Sequence, residues 1–211
     1  MPSAHGRFIT LEGGEGAGKS TQIRLLAEAL RKKGLPVVTT REPGGSEGAE
    51  AIRSLLVSGA TDRWDSRSEA LLHMAARRDH LVKSVWPALA DGKWVVCDRF
   101  VDSTVAYQGF GHGVDRGELE ELARFTMGDF APDLTFILDL PVEAGLARAG
   151  GRGGGEDRYE RMGQAFHQKL RDGFLEIARR NKGRCVVLDA TESVEAVQRQ
   201  MLDTIVDRYL R

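Results

Sequence analysis

The sequence predicts an α/β fold: a five-stranded parallel, doubly wound sheet flanked by helices, with one small mobile lid. Three observations carry this. Five apolar runs are continuous rather than alternating, as in strands covered on both faces. Helix-like stretches separate them. A glycine-rich loop ending in Lys-Ser follows the first run, where an open parallel sheet places its ligands.

The first strand is Phe8 to Leu11, and behind it Gly13-Gly14-Glu15-Gly16-Ala17-Gly18-Lys19-Ser20 satisfies G-x-x-x-x-G-K-[ST], the phosphate cradle of the P-loop NTPase fold. Glycines let successive backbone N–H groups converge on phosphate oxygens, Lys19 adds a point charge near the β/γ-phosphates, and the Ser20 hydroxyl is a Mg²⁺ ligand candidate. From Thr21 through Leu30 the apolar spacing is helical, so a helix N-terminus faces the nucleotide. A second strand, Pro36 to Thr40, runs into Arg41-Glu42-Pro43-Gly44-Gly45, a rigid turn, and a helix begins near Glu47.

The third strand, Trp94 to Cys97, ends in Asp98-Arg99-Phe100. Asp98 stands where a second-strand carboxylate approaches the Mg²⁺ shell, and Arg99 can fork onto a phosphate. After the fourth strand, Leu134 to Leu138, a helical stretch Val142 to Ala149 precedes Gly150-Gly151-Arg152-Gly153-Gly154-Gly155, too glycine-dense for a helix and read as a mobile loop tip carrying one arginine. A helical stretch from Glu156 to Arg180 and a fifth strand, Cys185 to Leu188, complete the chain.

At 211 residues with no repeat or long linker, residues 1–211 are expected to form one domain, with the lid over about 148–160. Thirty Lys+Arg against 31 Asp+Glu give no basic excess for coating a nucleic acid, so the anionic ligand should be small. Cys97 and Cys185 each sit in an apolar run, which suits reduced core thiols in a cytoplasmic protein. The N-terminus lacks an apolar signal region and no segment has membrane-spanning length.

Taken together, Gly13 to Ser20, Arg41 to Gly45, Ala75-Ala76-Arg77, Asp98-Arg99-Phe100 with Ser103-Thr104 and Ala106-Tyr107-Gln108, and Arg152 with Asp157-Arg158-Tyr159-Glu160 resemble the thymidylate kinase family over nearly the whole chain. The resemblance is to the bacterial group with glycine, here Gly16, in the loop and its catalytic arginine in the lid. It implies γ-phosphoryl transfer from ATP to dTMP, giving dTDP for dTTP supply, by a Mg²⁺-dependent cytoplasmic homodimer.

Residue by residue, the resemblance implies that Glu15 faces the acceptor sugar and phosphate, Arg99 holds the dTMP phosphate, Arg77 meets the thymine O4 edge, and Tyr107 crowds the 2′ position. Pro43, Arg53, Phe100, Thr104 and Gln108 complete the acceptor site; Lys19 and Arg152 surround the transferring group. Gly13 to Thr21, Arg148 and Ala190, in the Asp189-Ala190-Thr191 loop, serve ATP, and Ser20 with Asp98 serves Mg²⁺, partly through water. One departure stands out: His73 occupies a position where the family usually has an aromatic ring, most often Phe. If its imidazole stacks on thymine, dTMP binding should weaken as pH falls through an ordinary histidine pKa; alternatively His73 turns away and Met74 or Phe100 forms the apolar floor. Tyr159 and Phe166 are expected as packing residues on the helix after the lid.

A kinase for another nucleoside monophosphate or a deoxynucleoside would share this loop and lid. A GTP-dependent switch would also need an Asn-Lys-x-Asp guanine reader and an Asp-x-x-Gly switch, and neither stands where needed.

Overall fold

A computed structural model describes residues 6–150 and 157–210. Five strands, β1 (Phe8–Glu12), β2 (Val37–Arg41), β3 (Trp94–Asp98), β4 (Leu134–Asp139) and β5 (Cys185–Asp189), form one parallel sheet in the order β2-β3-β1-β4-β5. Every strand runs one residue past its expected end, into a polar or charged group. The sheet's carboxyl edge is therefore a row of functional side chains, with Asp98 beside Leu11 in register and Glu12 next in line.

Helices α1 (Lys19–Lys32), α2 (Glu47–Leu56), α3 (Ser66–His80), α4 (Trp86–Ala90), α5 (Val101–Thr104), α6 (Arg116–Met127), α7 (Val142–Ala149), α8 (Gln164–Arg180) and α9 (Val194–Ile205) cover both faces. π-Helical turns at Leu81–Val85 and Val105–Gly111 continue α3 and α5. Successive strand residues point to opposite faces. Ile9, Leu11, Val96 and Phe136 accordingly pack with Leu26 and Leu30 of α1 and Met201 of α9, while Phe8, Val95 and Cys97 meet Leu81, Val85 and Phe100 on the other side. Each fully buried Leu, Ile or Phe contributes about 1.5–3 kcal/mol. Thr10 and Thr135, buried in mid-strand, satisfy each other at 2.8 Å between hydroxyls.

Asp65, Asp115 and Ser193 cap α3, α6 and α9 by accepting N–H bonds from residues two or three positions on. The helix expected from Glu156 begins instead at Gln164, after Gly163 in an extended conformation. The preceding turns let Arg158 enter the core, where it donates to the carbonyls of Leu56, Ala60 and Thr61; a helix from Glu156 would not leave the backbone free to follow that side chain. Tyr159 is thus on a turn rather than a helix, while Phe166 on α8 packs against Tyr107 as expected. Among the described residues no helix is long and apolar enough to cross a membrane.

Candidate active site

The β1–α1 loop adopts left-handed φ at Gly13, Gly16 and Gly18. A Cβ on Gly16 would run into the Gly145 carbonyl of α7, and one on Gly145 would meet the Glu15 carbonyl, so loop and helix touch backbone to backbone. Lys19 is buried, and its Nζ donates to the carbonyls of Gly13 (3.1 Å) and Gly14 (2.9 Å). Burial and the nearby Arg99 guanidinium pull its pKa from 10.5 down to about 8, with Asp98 and Glu15 opposing. The loop opens into a cavity of about 590 Å³, lined by Glu15 through Ser20 with Asp98 and Arg99.

Ser20 Oγ lies 3.2 Å from Asp98 Oδ2, while Asp98 Oδ1 is buried with no hydrogen-bond partner. An orphaned carboxylate oxygen beside a hydroxyl at the mouth of a phosphate loop is a hard oxygen donor set. It fits Mg²⁺, which takes one or two protein oxygens and fills its octahedron with phosphates and water. Among the described residues no group of three or more His, Cys, Asp or Glu could hold a metal, so a protein-only cage is not the arrangement here.

At the end of β3 Arg99 adopts φ 66, which for a residue with a Cβ costs of order 1–3 kcal/mol. Glu12, directly beneath, accepts the Phe100 N–H (2.8 Å) and the Ser103 hydroxyl (2.6 Å) and so fixes the turn. Burial, with the Asp102 charge adding to it, raises the Glu12 pKa to about 8. The turn aims Arg99 back over the loop, where Nη1 donates to Gly13 O (3.0 Å) and Ser103 Oγ (3.2 Å) and Nη2 to Glu15 Oε1 (2.8 Å). Tyr107 donates to the same Glu15 oxygen at 2.7 Å, under the Arg99 guanidinium. Burial alone would raise the Glu15 pKa, but Arg99, Lys19 and the Tyr107 bond bring it to about 2.

A second cavity of about 120 Å³ adjoins the first, and Glu15, Arg53, Arg99 and Glu160 wall both. Pro43, His73, Arg77, Phe100, Tyr107 and Gln108 line it, so most residues expected at the acceptor site converge here. Thr104 does not line it: buried, it accepts from Arg77 Nη2 at 3.1 Å and supports that guanidinium from behind. Glu42, preceding a cis Glu42–Pro43 bond, takes Arg77 Nε at 2.7 Å, and His80 bridges Glu42 Oε1 (3.0 Å) to Thr40 (2.7 Å). Arg53 donates to the Pro43 carbonyl at 2.8 Å.

His73 faces this cavity with its Nε2 2.9 Å from the Tyr159 hydroxyl. Desolvation, followed by the Arg77, Arg158 and Arg99 charges, lowers its pKa to about 3. That shift runs against the expected titration near neutrality and favours a neutral imidazole. Met74 is buried behind Arg77, while Phe100 shares the wall with His73. On the far side of the loop, Arg148 Nη1 approaches Ala190 O at 3.4 Å, so those two expected donor residues meet each other. Thr21 is exposed on the first turn of α1. Arg152 lies outside the described residues.

Several groups of this site escape sequence reading: Glu12, Glu42, Glu69, His80 and Arg158, together with the cavity-lining role of Tyr159. Glu12 left a signal as a carboxylate placed directly on the end of an apolar strand, and Glu42, Arg158 and Tyr159 stand in motifs whose sequence gives no role for these side chains.

A central parallel sheet, a P-loop with its lysine and serine, a hard-oxygen pair at its mouth and an arginine-lined second cavity define a P-loop kinase for a small phosphorylated acceptor. The family model described as thymidylate kinase matches residues 11–201. Curated relatives named thymidylate kinase include one from Caulobacter vibrioides, 55% identical over 203 residues (96% of this chain and 97% of the relative), and one from Bradyrhizobium sp. strain ORS 278, 52% identical over 205 residues (96% and 91%). A crystal structure of thymidylate kinase from Ehrlichia chaffeensis superposes with a TM-score of 0.77 at 37% identity, covering 95% of this chain and 99% of that one. The chain belongs to the thymidylate kinase family.

Proposed function

We propose that the two cavities are the donor and acceptor sites of a dTMP kinase, which transfers the γ-phosphoryl group of ATP to dTMP and releases dTDP and ADP. The carrying observation is the Glu15–Arg99–Tyr107 unit between them: a cation able to fork onto the acceptor phosphate, held by a carboxylate and set over a phenol ring, both of which line the second cavity. The dTMP phosphate is already an anionic nucleophile, so the protein's task is alignment and charge stabilisation, and no general base is required.

Lys19 and the loop amides bind the ATP phosphates, Arg99 fixes the attacking phosphate, and Tyr107 fills the space a ribose 2′-hydroxyl would need. Arg77, His73, Phe100 and Gln108 form the base compartment, with Pro43 and Arg53 closing it. Ser20 and Asp98 would hold Mg²⁺, which would supply neutralisation of phosphate charge. Arg148 and Ala190 flank the adenine, and Arg152, in a lid over about 148–160, adds charge to the transferring group. The chain works as one domain.

A homodimer accounts for apolar side chains left in the open on the adjoining helices α3 and α6, where Leu71 is 55% and Phe125 90% exposed. Two buried, unpaired thiols suit the cytoplasm. Equilibrium titration tests the assignment of the cavities: Arg99→Met should weaken dTMP at least tenfold and leave ATP within about twofold. Equal losses for both ligands would contradict it.

A further inference from the structure

Gln108 is fully buried on the Val105–Gly111 turn and lines the base cavity. Its Nε2 donates to Glu69 Oε1 at 2.7 Å, and its Oε1 has no hydrogen-bond partner. Glu69, on α3, is 1% exposed, and its Oε2 pairs with Arg158 Nη1. Arg158 is itself locked by the carbonyls of Leu56, Ala60 and Thr61. His112 Nε2 lies 3.5 Å from Glu69 Oε1, and the Tyr159 hydroxyl also hydrogen-bonds the Glu69 carboxylate.

A glutamine amide is ambidextrous: turned one way it offers a base an acceptor, turned the other a pair of donors. A carboxylate held by an arginine can only accept. We propose that Glu69 is a positioning residue that sets pyrimidine choice, because by retaining Gln108 Nε2 it leaves only the carbonyl oxygen for the base. Thymine and uracil present an N3–H donor to that oxygen, whereas cytosine presents a lone pair at N3 and would leave two buried acceptors facing each other. Rejecting a base by leaving buried polar groups unpaired discriminates far more strongly than trimming pocket volume. The inference rests on dTMP placing its base against Gln108.

The test is the ratio of kcat/KM for dTMP to that for dCMP in the full-length enzyme. In Glu69→Gln the amide at position 69 accepts or donates equally well, so Gln108 is free to turn. The ratio should fall at least about tenfold, through a higher KM for dTMP and a lower one for dCMP, with the KM for ATP unchanged. A merely structural role would depress both substrates together and leave the ratio within twofold, and that result overturns the proposal. Should Glu69→Gln fail to fold because Arg158 is left unpaired, the same ratio is read in Glu69→Gln with Arg158→Gln, which removes the orphaned charge and keeps the turning amide. Gln108→Leu separates the two layers. If it leaves the KM for dTMP unchanged, the base does not contact Gln108 and both readings fall; if it raises that KM while Glu69→Gln leaves the ratio unmoved, only the orienting role of Glu69 falls.

Discussion

Arg99 reaches Glu15 across 84 positions of sequence, Nη2 to Oε1 at 2.8 Å, from a backbone conformation that arginine rarely adopts. The left-handed turn at the end of β3 sends the side chain back over the loop rather than along the strand, and Glu12 holds that turn from below. Strain at one residue is thus the cost of placing a cation between the two cavities. Glycine carries no penalty at this φ, so Arg99→Gly should melt above Arg99→Ala by about 1 kcal/mol, the reverse of the usual order, while both lose dTMP binding. Thermal unfolding of the two variants checks this, and Arg99→Ala melting higher would show that the turn is unstrained.

Lys19 should show function and stability in opposition. Its pKa lies at about 8 in the fold against 10.5 in the open chain, so below pH 8 both states are charged and the fold bears the full burial penalty. Between pH 8 and 10.5 the unfolded state holds more protons and the penalty disappears. Lys19→Met is therefore expected to raise Tm at pH 7 and to lose that gain as pH approaches 10.5. Turnover should drop by about 10³-fold or more, because the charge that destabilises the fold stabilises the transferring phosphoryl group. Turnover within tenfold of wild type would mean that the loop has another role.

His73 should be silent where an ordinary histidine titrates. With its pKa lowered to about 3 by desolvation and four arginines, it stays neutral throughout pH 5–8, so the Kd of dTMP should follow the same pH profile in wild type and His73→Phe. Stability shows the difference instead. The folded pKa is below the unfolded value near 6.5, so the His73 contribution is present above pH 6.5 and is lost as pH falls toward 3. His73→Phe should flatten the fall of Tm over that window; an inflection near pH 6.5 in dTMP binding, present only in wild type, would contradict the neutral ring.

The strands, the phosphate loop and the Asp98–Arg99 pair were legible because each is written locally, as a continuous apolar run or a motif whose spacing is its chemistry. The buried acids were not. Glu42 after β2, Glu69 on α3 and their basic counterpart Arg158 before α8 look like ordinary surface charges, and only contacts 35 to 102 positions away make them interior groups. Before Gln164 the chain departs from the expected helix into turns, with Arg158 buried and Gly163 extended ahead of α8. His73 was misjudged on charge for a related reason: its chain position is visible in the sequence, but the arginines surrounding it belong to four separate segments.

Alanine substitutions at Arg152 and Arg148 should separate chemistry from donor binding. Arg152→Ala is expected to lower kcat by roughly 10²- to 10⁴-fold with little change in the KM for dTMP, the loss of one charged donor at the transition state. Arg148→Ala, whose guanidinium stands beside the Ala190 carbonyl, should raise mainly the KM for ATP. Steady-state kinetics that reverse these roles would place the catalytic charge at Arg148.

The sugar contact proposed for Tyr107 gives a related expectation. Tyr107→Phe keeps the ring and loses the bond to Glu15, so it should retain preference for deoxyribose while kcat/KM falls about tenfold. Tyr107→Ala should lose that preference too, and an unchanged ratio of dTMP to its ribose counterpart in Tyr107→Ala would remove Tyr107 from the sugar contact.

The most direct test of the whole account is a coupled ADP-release assay on the wild-type enzyme with ATP and Mg²⁺ over dTMP, dUMP, UMP, dCMP, AMP and GMP. With Gln108 and Tyr107 in the roles proposed for them, kcat/KM for dTMP should be at least about 10²-fold above UMP, dCMP, AMP and GMP, with dUMP next in order. Turnover of AMP or GMP as fast as dTMP, or no phosphoryl transfer to dTMP at all, would contradict it.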